Sequence, residues 1–330
     1  MSKRLNLSRR EVVGGLTTSI ATAAGITPAA AQEYPSGPIQ ILVAYGAGGG
    51  TDTLARVIAP SLSKLLGKPV TVQNLPGGGG QVAATTLVRD GADGLAILAT
   101  NEPDLFMSTV FSKPSYTASD FQVIMVDVFD PRILLVTKES EIASFDDFVA
   151  AAKAQPGKLA ISATQGGAQE LFAKWLFAKV GIDVRLVGYN GGGTAANAML
   201  AGDVVATVGD DSARMNIRDK SKALLVGAQK KSVRWPEAAT LDVALAKYAT
   251  IPPSSEFLAR FGVYVVSSAF KAKNADAYAR LQQALIEARN SPEFRQYITK
   301  NGLQDLSVGK PGEALEAALS ADFAEIRKLR

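Results

Sequence analysis

The chain has 330 residues, enough for two domains each with its own core, and its 47% hydrophobic and 20% charged content is that of a globular protein. It contains neither His nor Cys, which excludes Ser-His-Asp and Cys-His triads, zinc sites with His or Cys ligands, thiolate redox chemistry, haem ligation by His and disulfides. The formal charge of +4 is concentrated at the start: Lys3, Arg4, Arg9 and Arg10 stand against Glu11, leaving 31 basic and 30 acidic residues after residue 31 and no nucleic-acid footprint.

Residues 1–31 read as an export signal. A basic segment precedes a moderately apolar stretch from Val12 to Ile26, and Ala29-Ala30-Ala31 forms an A-x-A cleavage site. Ser8-Arg9-Arg10-Glu11-Val12-Val13 is similar to the twin-arginine signal, with a general secretory signal as the alternative. No later stretch reaches about 18 uninterrupted apolar residues, so no membrane insertion of the mature chain is expected. Without Cys there is no lipidation site, and a bacterial periplasm is the expected compartment.

From Ile39 the chain alternates strands and helices. Ile39 to Ala44 is an apolar run of the kind a doubly buried parallel strand shows. Leu54, Val57, Ile58, Leu62, Leu65 and Leu66 then recur at helical spacing, Thr51 or Asp52 is the natural N-cap, and Gly67 the C-cap. Pro69–Asn74 and Leu95–Thr100 are expected strands, with a helix over Val82–Val88. Phe121–Val128 and Arg132–Lys138 read as two strands around Pro131, the second able to cross between domains.

The pattern restarts at Ser144, which caps a helix to Ala154. Strands follow at Lys158–Thr164, Val184–Tyr189, Val204–Gly209 and Ala223–Ala228, with helices Gln169–Val180 and Thr194–Leu200 and another ending near Lys220. Residues 229–260 are mixed and end as a linker. Phe261–Ser268 is a strong strand, and Ala275–Asn290, Pro292–Lys300 and Gly312–Lys328 close the chain as helices. Late strand and helices imply a return to the first domain, and two crossings imply a two-stranded hinge. The expected division is 32–137 with 255–330 as one lobe and 138–254 as the other.

Several glycine-rich turns follow apolar strands and open helices, each presenting unpaired N–H groups at a positive helix end suited to an anion. The first turn supplies Tyr45, Gly46, Gly48, Gly49, Gly50, Thr51 and Asp52 as candidate ligand-binding residues. The second supplies Gly78 and Gly79, and the third strand ends in Thr100 and Asn101. Thr164, Gly166, Gly167, Ala168 and Gln169 form the next turn, and Tyr189 with Gly192 the one after. Asp210 and Asp211 end the last strand of the set. In open α/β sheets such loops converge outside the carboxyl ends of the strands. The expected ligand is a small carboxylic acid, held by backbone amides and hydroxyls. Asp52 reads as a helix cap rather than a contact, and Trp175 and Trp235 read as packing residues.

Four motifs in order carry a family resemblance. YPSGPIQILVAYGAGGGTDTLAR from Tyr34 keeps the GGGTD and LAR of the pattern YPxKPIxLVVPFxPGGGTDxLAR. Asn74-Leu75-Pro76-Gly77-Gly78-Gly79-Gly80, AKAQPGKL at Ala152–Leu159 and VGYNGGGTA at Val187–Ala195 match three further ones. The mature chain therefore resembles the solute-binding receptors of tripartite tricarboxylate transporters, the Bug family. That resemblance implies an α/β, type II periplasmic binding-protein fold, two lobes joined by a two-stranded hinge with the ligand cleft between them. It also implies membrane permease subunits as partners, no catalysis and no cofactor or metal; a monomer is expected. The chain departs from the pattern at Gly46-Ala47, where prolines are usual, at Gln169-Glu170, where a His is common, and at Phe261-Gly262, where Trp-x-Gly is usual.

Two rival functions share parts of this sequence signature. An exported oxidoreductase with a nucleotide cofactor suits twin-arginine export, but Gly46-x-Gly48-x-x-Thr51 lacks the third glycine of a dinucleotide fingerprint, and Asn74 stands where an acidic ribose ligand belongs. A ligand sensor using the same cleft has the same sequence signature as a transport receptor.

Overall fold

The computed structural model describes residues 34–112, 114–189, 191–248 and 259–319. The expected export signal, the 254/255 lobe boundary, Asn190 and the last part of the closing helix lie outside them. β1 (Ile39–Val43) is flanked by β2 (Val70–Asn74) and β3 (Ala96–Glu102), both parallel to it. β10 (Ala259–Ser267) returns antiparallel between β3 and β4 (Phe121–Thr137), as expected of a chain re-entering its first half. Beyond β4 the sheet continues through β7 (Ala206–Asp210), β5 (Ala160–Thr164) and β6 (Arg185–Tyr189), so one path runs β2-β1-β3-β10-β4-β7-β5-β6. β8 (Ser221–Val226) and β11 (Ser307–Lys310) also pair with β4, and the two-residue β9 (Ala239–Thr240) pairs with β8.

β4 corrects the sequence reading. Two strands broken at Pro131 were expected, and one strand of 17 residues is found. Pro131 sits where the partner changes: Ala259 of β10 lies opposite it, and Arg132 onward pairs with β7. A proline lacks an N–H, but at a change of partner it costs the sheet little. β4 is therefore one physical connection between the two α/β lobes.

Helices cover both faces of each half. α1 (Gly50–Leu66) places Leu54, Ile58, Leu62 and Leu66 in one cluster with Ile39, Ile41 and Val43, covered by Leu281 and Leu285 of α9 (Ala275–Arg289) and Phe294 of α10 (Pro292–Lys300). Leu42, between those strand residues, joins the opposite cluster with Ala83, Ala84 and Leu87 of α2 (Gln81–Asp90). Successive strand residues point to opposite faces, so the continuous apolar run is used on both. The second half repeats this. Leu134 and Val136 face α4 (Phe145–Ala154) and α5 (Ala168–Val180), while Ile133 and Leu135 face α6 (Gly192–Ala201).

Helix ends follow local rules with one exception. Gly67 ends α1 in the left-handed conformation at φ 67°, its N–H bonded to Ser63 O. Ser144 caps α4, its side chain accepting from Asp147 N. At the start of α1, however, the N-cap is Gly49, and Asp52 lies inside the first turn with its Oδ2 accepting the Gly48 N–H at 2.8 Å. Leu65, read as part of the apolar stripe, is 42% exposed. α3 (Asp104–Phe111), α7 (Leu241–Leu245), α8 (Ser268–Lys273) and β11 were not legible beforehand, and the segment from Ser212 to Lys220 is a 3-10 helix.

Candidate functional site

Every candidate turn lies at the carboxyl end of a parallel strand, and one chain of polar contacts joins most of them. In the first lobe, Tyr45 OH stands 3.4 Å from Thr100 Oγ1, and Thr51 Oγ1 donates to Asn101 Oδ1 at 3.4 Å. The main chain from Gly46 to Gly50 is exposed. Its donors Gly50 N and Thr51 N lie in the first turn of α1, where no intrahelical acceptor exists. Asp52 faces inward: Arg56, Asn74 Nδ2 at 2.9 Å and Gly48 N hold its carboxylate. Burial works to raise its pKa, and these donors outweigh it and leave it below the ordinary value. Asp52 thus shapes the turn. The Gly78–Gly80 turn packs against this end of the sheet, a Cβ at Gly80 falling 3.8 Å from Thr100 Oγ1, with Gly78 and Gly79 exposed.

In the second lobe, Thr164 Oγ1 donates to Gln169 Oε1 at 2.7 Å, and Gln169 Nε2 donates to Asp210 Oδ2 at 3.0 Å. Gly166 N is bonded to Glu170 Oε2. At the start of α5, next to Gly167, the Ala168 N–H is taken by Asp104 Oδ1 at 2.7 Å, a carboxylate from the other lobe. A carboxylate thus sits where the sequence places one, and it belongs to the protein. Tyr189 is half-buried against the apolar cluster under α6, and its carbonyl accepts from Gln165 N. Asp211 turns away from the others: it pairs with Arg234, which also binds Asp305.

Between the two sets stands a group of buried arginines that sequence reasoning missed. Arg132 of β4 pairs with Asp210. Arg260 of β10 donates to Asn101 Oδ1 at 3.2 Å and to Asp130 Oδ2 at 2.7 Å, and its Nε lies 3.7 Å from Asp210 Oδ2. Asp130 also accepts from Ser212 N and Oγ. Burial works to raise the Asp210 carboxyl, but Arg132, Arg260 and Arg214 hold it below the usual carboxylate range. The continuous route runs from Thr51 through Asn101 to Arg260, which reaches both Asp130 and Asp210, and from Asp210 on to Gln169 and Thr164. The one signal in the sequence was charge inside an apolar run: Asp130 and Arg132 interrupt β4, and Arg260 opens β10.

No cluster of three or more metal-ligating side chains occurs among the described residues. The exposed backbone at the start of α1 presents N–H groups of the kind that suit a small anion.

Two α/β lobes sharing β4, with helix N-termini and polar side chains gathered at the strand ends, define a binding protein of the periplasmic receptor type. Comparison with known proteins agrees. Residues 54–310 match the tripartite tricarboxylate transporter family receptor model, and the chain belongs to that family. Members of this family are receptors, so the chain is a binding protein and not an enzyme. It is 30% identical over 243 residues to the protein BugT of Bordetella pertussis, covering 72% of this chain and 74% of that one. It is 27% identical to a Cupriavidus necator protein over 99% of this chain and 98% of the other. Among solved structures, MatC of Rhodopseudomonas palustris with bound malate superposes with TM-score 0.73 at 19% identity, covering 90% of this chain and 99% of that one. An R. palustris protein with adipate gives 0.75 at 20%, covering 90% and 97%. These structural likenesses establish the fold.

Proposed function

We propose that this chain is an extracytoplasmic receptor that captures a small carboxylate at the strand ends and presents it to the membrane permease of a tripartite tricarboxylate-type transporter. The observation that carries the reading is the convergence of the turns at Gly48–Thr51, Thr100–Asn101 and Thr164–Gln169 on one network that spans both lobes. The N–H groups of the first turn of α1 are the ligand donors, joined by the hydroxyls of Thr51 and Thr164 once the ligand displaces their bonds to Asn101 Oδ1 and Gln169 Oε1. Gly46, Gly48, Gly49 and Gly50 let the ligand approach the main chain. Charge-assisted hydrogen bonds of this kind contribute about 1.5–3 kcal/mol each, so a few of them make micromolar affinity reachable.

Related proteins solved with malate and with adipate support a carboxylate as the ligand class. Export to the periplasm through the signal in residues 1–31 is part of the same reading. It is compatible with the described residues, among which no helix is long and apolar enough to cross a membrane. So is the division into 32–137 with 255–330 and 138–254, with closure about the connections between them.

A thermal-shift screen of the mature protein against mono-, di- and tricarboxylates, amino acids and aromatic acids tests it. A ligand at 100 times its dissociation constant stabilises the folded state by about 2.7 kcal/mol. A complete absence of stabilisation by every acid rejects the reading. Gly50→Val then discriminates the site, because Gly50 is exposed and a Cβ there meets nothing within 4 Å, so the fold survives while the approach to the first turn is blocked.

A further inference from the structure

The helix N-termini at the strand ends of the two lobes are filled differently. At α1 the main chain from Gly46 to Gly50 is exposed, and Asp52 takes up the N–H of Gly48. At α5 the protein takes the N–H groups one after another: Gly166 by Glu170 Oε2 at 2.8 Å, Gly167 by the Thr164 carbonyl at 3.4 Å and Ala168 by Asp104 Oδ1 at 2.7 Å. Asp104 is the acceptor that crosses between the lobes, since it opens α3 in the first. Gly167, which precedes α5 and gives it no side-chain cap, lets the carboxylate in: a Cβ there would fall 3.2 Å from Asp104 Oδ1. A helix N-terminus is where the acidic group of a ligand would sit. In the second lobe that position is occupied before any ligand arrives.

The charges around it balance. Arg132 and Arg260 act on Asp104, the same two with Arg214 act on Asp210, and Asp210 and Asp130 act on Arg214. Three guanidinium groups are thus matched by three carboxylates. Asp104 also acts on Tyr45 of the first turn, so its charge is felt where the ligand is held. One carboxylate on a ligand meets the positive end of α1. A second on the same molecule meets half-buried Asp104, and like charges brought together out of water repel strongly.

We propose that Asp104 is a specificity-determining residue: it stands in the place of a ligand's second acidic group, so the receptor takes acids with a single carboxylate, held at the α1 turn, and rejects diacids. This rests on the carboxylate-receptor reading above and narrows it. A binding site discriminates as well by a charge set against the wrong ligand as by contacts to the right one.

The test is calorimetry on the wild-type mature protein and on Asp104→Asn and Asp104→Ala. Succinate, glutarate and adipate are each set against their own monoamide, which has the same length and shape and one carboxylate fewer. The wild type is expected to bind the monoamide of at least one pair about tenfold or more tighter than the diacid. Asp104→Asn keeps an oxygen for the Ala168 N–H and loses the charge, so its ratio of diacid to monoamide affinity is expected to rise about fivefold or more. Asp104→Ala also vacates the amide and moves the ratio at least as far. A role confined to capping α5 would change both affinities together and leave the ratio where it was. The proposal is overturned if the wild type binds the diacid as tightly as the monoamide, or more tightly, in every pair. It is equally overturned if the ratio is unmoved in Asp104→Asn, the variant that preserves the cap and covers the case in which Asp104→Ala does not fold. In both cases acids still bind and the receptor reading stands. A wild type that binds none of these acids overturns the proposal as well, and the wider acid screen then decides whether the receptor reading falls with it.

Discussion

Gly94 shows how tightly one residue can be specified without any role in ligand binding. It takes φ 77°, and a Cβ there would lie 2.3 Å from the Phe270 ring, which packs in turn against Tyr34. Gly94→Ala therefore combines an unfavourable backbone with overpacking of a buried aromatic, and the expected loss is ~2–4 kcal/mol in denaturant unfolding. A cost below that of an ordinary surface substitution would show that Phe270 has somewhere to go. At this scale the sequence was legible where a residue answers to its neighbours, as at Gly67. It was misleading at Asp52, whose partners Asn74 and Arg56 include one from the next strand. Trp235 was read correctly as a packing residue. It is fully buried, with Arg218 over its ring and its Nε1 bonded to Asp211 O.

Among elements, α4 and α5 begin in contrasting ways. Ser144 caps α4 from the adjacent position, and Ser144→Ala is expected to cost about 1 kcal/mol with no change in ligand affinity, measured by urea unfolding and calorimetry. α5 has no such local cap: Gly167 precedes it, and the carboxylate on Ala168 N comes from Asp104, 64 residues earlier. Burial raises the Asp104 carboxyl above its ordinary value, although Arg132 and the Ala168 N–H favour the charged form. Asp104 then competes with any ligand carboxylate for the same amide. Asp104→Ala is expected to destabilise the ligand-free protein by about 1 kcal/mol and to tighten carboxylate binding by about fivefold. Weaker binding in calorimetry would instead make Asp104 a support of the site. The strand-turn-helix units were readable because periodicity and glycine placement are local properties, whereas α3, which carries Asp104, gave no such pattern.

For the whole molecule, stability against pH is a direct readout of a buried acid. Glu102, 4% exposed at the end of β3, accepts the Phe106 N–H and has its pKa pushed from 4.5 up to about 8, mainly by burial. Between those two values the folded chain keeps a proton that the unfolded chain has lost. Its contribution is thus complete below the unfolded pKa and falls as pH rises through the window, by up to about 1.4 kcal/mol per pH unit. Glu102→Gln removes this slope, so the variant is expected to gain on the wild type steadily between pH 5 and pH 8 in urea unfolding. Parallel curves for the two proteins across that range would show that Glu102 is ionised in the folded state.

The sequence by itself determined the class of fold, the turns at the strand ends and the family likeness, because each depends on residues within one strand-turn-helix unit. Only the tertiary structure decided how those turns are joined. Arg132 meets Asp210 from 78 residues away, and Arg260 meets Asp130 from 130 and Asn101 from 159. A charge in an apolar strand announces that it needs a partner, but which partner it finds depends on how the sheet brings distant strands together. That is why the strand-end turns were readable in advance and the arginines that join them were not.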